Sequence, residues 1–498
     1  MASKSHSKSK SDLEPARVPQ SKKRRVLFRL AAIAFGLACI GVLEIGLRVA
    51  GVDRYFEPAA PLVGFSEIQP LFVKNAAGDR FEIPTSRQAF FRPESFAAQK
   101  APDEYRIFCF GGSTVQGRPY SIETSFTTWL ELNLKAADPD RNWEAVNCGG
   151  VSYASYRLVP LLRESLQYDP DLFVVYTGHN EFLEERTYES IKRQPKWMRR
   201  WQDRVLQLRI AGLLRSFLPD KKDEKQEIDM PAEVDALLDY QGGLAKYHRD
   251  DVWRDGVIYE YEQNLRKLVE IARAADVPIV LVNPVCNVAD TPPFKVELPS
   301  DFSAEQKAEF ERQWEAAKNA SWDDPATKQT LVNRVLEMDD RHAEAHFLRA
   351  RIYEAQGDYA KARESYLRAK DEDICPLRML ESMHDVLKNV AVSTSTPLID
   401  VRKLFEEHAD HGLPGDNELI DHVHPRIEGH QFIADELFHF MVRQQIVTTT
   451  AQSSERRKDL YKANYKSLPD SYFPESVERL RGLQRWASGR VTRLKIPE

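Results

Sequence analysis

A chain of 498 residues is long enough for two or three domains and one large buried core, and 42% hydrophobic with 29% charged residues is an ordinary globular composition. A formal net charge of −6 excludes the basic stripe that a nucleic-acid footprint needs, so no nucleic-acid partner is expected. The five cysteines, Cys39, Cys109, Cys148, Cys286 and Cys375, are odd in number, widely spaced and free of any CxxC pair, which indicates neither a disulfide framework nor a structural metal site.

Residues 1–25 are rich in Ser, Lys and Arg and read as a disordered basic tail. They end in Lys22-Lys23-Arg24-Arg25, and an apolar run follows from Val26 to Val49. Its uninterrupted part, Leu30 to Leu43, is short of the ~20 residues that span a bilayer. Counting from Val26, with Arg29 reaching back to the interface, brings the run close to that length. Residues 26–50 therefore read as a transmembrane anchor. The dense positive charge before it predicts a single-pass topology, with the N-terminus inside and the rest on the extracytoplasmic (periplasmic) side. A cleaved signal peptide and a buried helix are the alternatives; no small-x-small site ends the run.

Residues 51–103 contain Pro, Phe and polar residues without a firm period and read as a juxtamembrane segment. Beyond them come five short apolar runs bounded by turn residues: Tyr105 to Phe110, Ala145 to Asn147, Leu172 to Tyr176, Pro278 to Val282 and Pro397 to Asp400. Helical patterns lie between most of them, at Thr124 to Ala136, Arg157 to Leu166 and Tyr259 to Ala275. Strands apolar throughout, alternating with helices, predict an α/β fold: a flavodoxin-like, doubly wound parallel sheet of about five strands. The main domain then occupies residues 104–302 and 376–445. Residues 303–375, almost wholly helical in pattern, are an insertion between the fourth and fifth strands. Within it Ala350, Tyr353, Gly357, Tyr359, Ala362, Tyr366 and Ala369 have the spacing of a tetratricopeptide (TPR) repeat. One clear repeat is too few to stand alone, so the segment is expected to dock on the main domain; a protein partner bound there is the other use such a segment has. Residues 446–498, with Tyr461, Tyr465, Tyr472, Phe473 and Trp486, read as a C-terminal helical extension.

Four features fall at the carboxyl ends of predicted strands, the edge where such sheets build their sites. Gly111-Gly112-Ser113-Thr114 forms a strand-to-helix turn whose glycines permit a sharp bend and expose a hydroxyl; alone it is equally a plain turn or a phosphate cradle. Asp421-His422-Val423-His424-Pro425 supplies an imidazole able to take a hydroxyl proton near neutrality, and a carboxylate three residues earlier to orient it. The residues Asp421, His422 and His424 are also metal-ligand types, but no further cluster at ligand spacing accompanies them. Thr177-Gly178-His179-Asn180-Glu181 offers an amide donor for an oxyanion, and Asn147-Cys148-Gly149-Gly150-Val151-Ser152 offers backbone N–H groups. His179 reads as a residue that shapes its loop or touches substrate, and Gly150 as its counterpart in the preceding loop.

Taken in order, the four blocks resemble the SGNH (GDSL-like) hydrolase superfamily over roughly residues 104–441. The resemblance implies ester hydrolysis through an acyl-enzyme, without metal or organic cofactor, on an ester-bearing substrate. It assigns Ser113 as nucleophile, His424 as base, Asp421 as its orienting partner, and Ser113, Ser152 and Asn180 as oxyanion-hole donors. Three positions depart from the family pattern. Gly112 stands where an aspartate is usual, Ser152 falls where the oxyanion glycine is expected, just after Gly149 and Gly150, and Glu181 follows Asn180 in place of aspartate. Acyl transfer from the same serine, and a membrane-tethered scaffold without catalysis, are the competing functions.

Overall fold

A computed structural model describes residues 22–50, 63–65, 69–184, 209–210, 228–230, 234, 236–239 and 243–488. The expected disordered tail lies, up to residue 21, outside the described residues. The chain divides into two compact units, one made of residues 1–58 and 195–223 and the other of residues 59–194 and 224–498. In the first, a helix runs from Lys22 to Val49, and its Phe28–Leu47 stretch, 20 residues with mean hydropathy 2.3, is long and apolar enough to cross a membrane.

The second unit is α/β. Ten strands are described in chain order: β1 (Val63–Phe65), β2 (Val73–Lys74), β3 (Arg80–Glu82), β4 (Ser95–Ala97), β5 (Glu104–Gly111), β6 (Asn142–Gly149), β7 (Leu172–Tyr176), β8 (Ile228–Met230), β9 (Ile279–Val282) and β10 (Leu398–Ile399). Five of them form a parallel sheet in the order β10-β9-β7-β5-β6, the doubly wound arrangement expected from the apolar runs. Side chains along each strand alternate between two cores. Phe108, Phe110, Phe173 and Val175 face one, under the helices Ser155–Ser165, Asp251–Ala274 and Glu381–Thr394. Ile107, Cys109, Val174 and Tyr176 face the other, under the helices Phe126–Ala137 and Ile427–Arg443. Burial on both faces explains why these strands read as unbroken apolar runs. Arg106 sits inside β5 because Glu104, two residues away on the same face, accepts its Nε at 2.6 Å.

Residues 69–103 differ from the juxtamembrane reading. They hold the antiparallel sheet β2-β3-β4, and Phe72 and Phe96 pack edge-on at 4.9 Å, with Phe96 against Phe108 of β5 at 5.5 Å. Strands of two or three residues are too short to print an alternation in sequence, so only the aromatic density hinted at them.

Four helices, Ala304–Asn319, Pro325–Met338, Ala343–Ala355 and Tyr359–Asp371, fill the insertion. The third and fourth pack as a pair, separated by Gly357 in a left-handed conformation (φ 75°). Ala350, Ala362, Tyr366 and Ala369 are buried in one cluster with Phe347, and with Val288, Leu413 and Val423 of the main domain. The insertion therefore docks on the main domain. The C-terminal helices Ser453–Ser467 and Tyr472–Ser488 also pack on it: Tyr461 meets Trp129 at 4.5 Å, and Tyr472 receives the Ser121 N–H at 3.1 Å.

Candidate active site

Strand β5 ends at Gly111, and the chain turns at once into a one-turn helix, Ser113–Gln116. A Cβ on Gly111 would collide with the Tyr176 carbonyl and the Val115 side chain, so only glycine lets the turn lie this close to β7. The turn is held from below by Asn147 of β6, whose Nδ2 donates to Val115 O at 2.7 Å and whose Oδ1 accepts the Gly149 N–H at 3.0 Å.

The loop of residues 413–426, beyond the Val401–His408 helix, closes over this turn. Ile420 N–H donates to His424 O at 2.8 Å, Arg426 N–H donates to Glu418 O at 3.0 Å, and Asn287 N–H, beyond β9, donates to His422 O at 3.0 Å. These bonds set the His424 Nε2 2.7 Å from the Ser113 Oγ. On the other side of the ring, Nδ1 lies 2.6 Å from the Asp421 Oδ2. The second oxygen of Asp421 accepts the backbone N–H groups of Val423 and His424, each at 2.9 Å, so the carboxylate is oriented before it meets the ring. Burial opposes the charge on Asp421. The rings of His424 and His422 and these N–H donors outweigh it and hold the carboxyl well below the usual range. An ionised Asp421 accepts the proton on Nδ1 and leaves the lone pair of Nε2 facing the hydroxyl.

His422 packs on Phe294 at 5.3 Å with its Nδ1 3.6 Å from the Asp421 Oδ1, and burial, against the pull of Asp421, pushes it down to about 4. Among the described residues no group of three or more His, Cys, Asp or Glu is gathered as a metal site.

Asn180 reaches the same turn from the end of β7. Its Nδ2 donates one hydrogen to Tyr153 O at 3.0 Å, which leaves the second N–H free in direction. The amide lies so close to Gly112 that a Cβ there would fall inside van der Waals contact with Nδ2. The glycine where the family pattern has aspartate is thus the residue that makes room for Asn180.

In the loop after β6, Gly149 N–H goes to Asn147 Oδ1, Gly150 N–H to Gly111 O at 3.0 Å, Val151 N–H to Phe90 O at 2.8 Å and Tyr153 N–H to Gly150 O at 3.2 Å. Gly150 is therefore committed to the sheet edge. Ser152 is different: its backbone is left-handed (φ 62°), and among the described residues its N–H has no partner.

His179 is buried, and its Nδ1 accepts the Met379 N–H at 3.2 Å, so the ring ties its loop to the chain leaving the insertion. Burial, then the neighbouring His422 and His424, pushes it down to about 3 and keeps it neutral.

The sequence reading missed two supports. Tyr153 fixes Asn180 through its carbonyl. Glu181, noted only as a departure, accepts both the N–H and the hydroxyl of Ser155 at 2.8 Å. It places a carboxylate at the N-terminus of a helix that has no acidic residue in its own first turn. That missing acid, beside a glutamate one residue past Asn180, was the available signal.

No family model matches the chain, and no curated protein matches it. Among solved structures it is similar to Axe2, an acetylxylan esterase from Geobacillus stearothermophilus, at 13% identity and a TM-score of 0.30 over 67% of this chain and 93% of that one. It is also similar to the lipase/acylhydrolase from Enterococcus faecalis, at 10% identity and a TM-score of 0.31 over 70% of this chain and 98% of that one.

Proposed function

We propose that the chain is a membrane-anchored serine ester hydrolase in which Ser113 is the nucleophile, His424 the general base and acid, and Asp421 the group that orients the imidazole. The observation that carries this reading is the continuous relay from Ser113 Oγ to His424 Nε2 at 2.7 Å and from His424 Nδ1 to Asp421 Oδ2 at 2.6 Å.

In the cycle, His424 Nε2 takes the hydroxyl proton as Ser113 Oγ attacks the ester carbonyl. The negative charge that develops on the carbonyl oxygen is met by the N–H of Ser113, the N–H of Ser152 and the free hydrogen of Asn180 Nδ2. Each such donor lowers the barrier by about 3 kcal/mol. Collapse breaks the C–O bond, and the imidazolium gives its proton to the leaving alcohol. A water then takes the alcohol's place and attacks the acyl carbon as His424 accepts its proton; the bond from that carbon to Ser113 Oγ breaks, the imidazolium returns the proton to Oγ, and the acid leaves. No step calls on a metal or organic cofactor.

The anchor is the Lys22–Val49 helix, and the four consecutive basic residues at positions 22–25 orient it with the main unit on the extracytoplasmic side. A fluorophosphonate probe is expected to label Ser113 in the purified protein, and Ser113→Ala to lose both labelling and turnover of short-chain aryl esters. Folded wild-type protein that takes up no probe would leave a scaffold as the better reading.

A further inference from the structure

Three arginines, Arg92, Arg118 and Arg479, lie near enough to repel one another at a corner beside the serine turn. Arg118 closes that turn, its backbone N–H donating to Ser113 O at 3.1 Å. Arg479, on the Tyr472–Ser488 helix, donates from Nε to Pro119 O at 2.7 Å, one residue further on. Arg92 comes two residues after Phe90, whose carbonyl accepts Gln116 Nε2 from the serine helix and Val151 N–H from the loop bearing Ser152, both at 2.8 Å. The corner thus touches both the nucleophile's turn and the loop expected to supply an oxyanion donor.

Several buried and half-buried arginines elsewhere in this unit meet carboxylates, although Arg87, whose Nε is likewise buried without a partner among the described residues, meets the Tyr153 hydroxyl instead. Arg106 pairs with Glu104 at 2.6 Å, Arg341 with Glu372 at 2.8 Å, and Arg402 with Glu381 at 2.9 Å. Arg92 and Arg118 do not. Among the described residues neither side chain has a hydrogen bond or an ion pair, and the Nε of each is buried without a partner. Arg479 has Glu475 at 3.3 Å. Glu475 and Glu123 act on Arg92 at a distance without pairing with it. Burial first, then repulsion from Arg92 and Arg479, lowers the Arg118 guanidinium from its ordinary value against the pull of Asp421. Arg479 is held in place by Pro119 O, Glu475 and Ser476 Oγ, whereas Arg92 and Arg118 keep uncommitted donors beside it, and a guanidinium fork binds a carboxylate or phosphate in bidentate fashion.

We propose that Arg92, Arg118 and Arg479 form an anion-recognition subsite beside Ser113, so that the ester cleaved there carries a carboxylate or phosphate group. The substrate class rests on the reading of Ser113 as nucleophile; the anion site itself does not.

The test uses three acetate esters on one phenyl frame: neutral methyl 4-acetoxybenzoate, 4-acetoxybenzoate with a carboxylate, and 4-acetoxyphenyl phosphate. Calorimetry with benzoate and inorganic phosphate runs alongside. One anionic ester is expected to exceed the neutral one about tenfold or more in kcat/KM, and which one identifies the anion. That ratio is expected to fall about tenfold in Arg118→Gln and in Arg92→Gln, through KM rather than kcat. Should one variant fail to fold, the other and Arg479→Gln carry the comparison. A wild-type ratio near one, or a ratio that the folded variants leave unchanged, overturns the subsite while Ser113-dependent cleavage of the neutral ester keeps the hydrolase reading. Anion binding that weakens in the variants, with no ester turned over, keeps the subsite and removes the hydrolase. Neither turnover nor anion binding overturns both.

Discussion

The replacement Gly112→Ala isolates what the asparagine contributes. At φ −86° and ψ −155° the backbone of Gly112 is open to any L-residue, so alanine brings no backbone strain. Its Cβ would stand 3.4 Å from Tyr153 O, which is ordinary contact, but closer than 3.0 Å to Asn180 Nδ2. The amide is the end of a side chain with two rotatable bonds. It relieves the overlap by swinging away by roughly the 1 Å that restores normal contact, and gives up the 3.0 Å bond to Tyr153 O. The fold then loses about 1 kcal/mol, the net worth of one hydrogen bond. The transition state loses an aligned oxyanion donor, on the order of 3 kcal/mol or 10²–10³ in kcat. Gly112→Ala is therefore expected to melt within a few degrees of wild type while its kcat on an aryl acetate falls as far as that of Asn180→Ala. Because both act through one amide, Gly112→Ala/Asn180→Ala should be no slower than the worse single variant. Gly111→Ala, whose Cβ meets the Tyr176 backbone instead, should chiefly destabilise the fold. Wild-type kcat in Gly112→Ala, or a double variant slowed by the product of the two single effects, refutes this account of Gly112.

Asp421→Asn keeps an oxygen for the N–H groups of Val423 and His424 but turns an N–H toward Nδ1, which drives the ring proton onto Nε2, where it faces the Ser113 hydroxyl. A loss of about 10⁴ in kcat with an unchanged circular dichroism spectrum is expected, and retention of more than a tenth of the activity would contradict the tautomer argument. His430 is fully buried and stacked on Phe126, and among the described residues neither ring nitrogen has a partner; burial, then His424, pushes it from 6.5 down to about 3. Between those two values the unfolded chain binds a proton that the folded one refuses, so stability falls as pH drops below 6.5. At about pH 5 the cost is ~2 kcal/mol, and His430→Phe should recover it. Thermal melts of this variant should therefore gain on wild type at about pH 5 relative to about pH 8, and an equal difference at both would show that His430 does not titrate in this way.

The sheet was legible in the sequence because its five strands are buried on both faces, which leaves unbroken apolar runs with turn residues at each end. The serine turn was legible because it follows the end of β5, and the His424 loop because Asp421 stands three residues before His424, although the Val401–His408 helix separates that loop from β10. What the sequence did not disclose depends on contacts between distant positions. Nothing local to Gly112 indicates that it must clear a path for Asn180, 68 positions on by the numbering. That the Ser152 N–H, alone in its loop, has no partner among the described residues shows only once the N–H groups of Gly149, Gly150, Val151 and Tyr153 are seen to be committed. The arginine corner joins positions 92, 118 and 479, which no window of sequence contains.

The helical insertion makes the same point about cores. Its small and aromatic residues have the spacing of one helix packed against the next, and a single such pair is expected to need the main domain, but the spacing does not say which residues there it meets. Ala350, Ala362 and Tyr366 do pack that way, but the cluster they build also takes in Val288 after β9 and Leu413 and Val423 before the base. Val423 is adjacent to His424, and Asp421 accepts its N–H at 2.9 Å. The hairpin therefore seats the residue that aligns the carboxylate. A cavity opened under Val423 would be felt in the 2.6 Å bond between Asp421 and His424 before it was felt in the sheet. In this fold the insertion is part of the wall on which the proposed general base is hung.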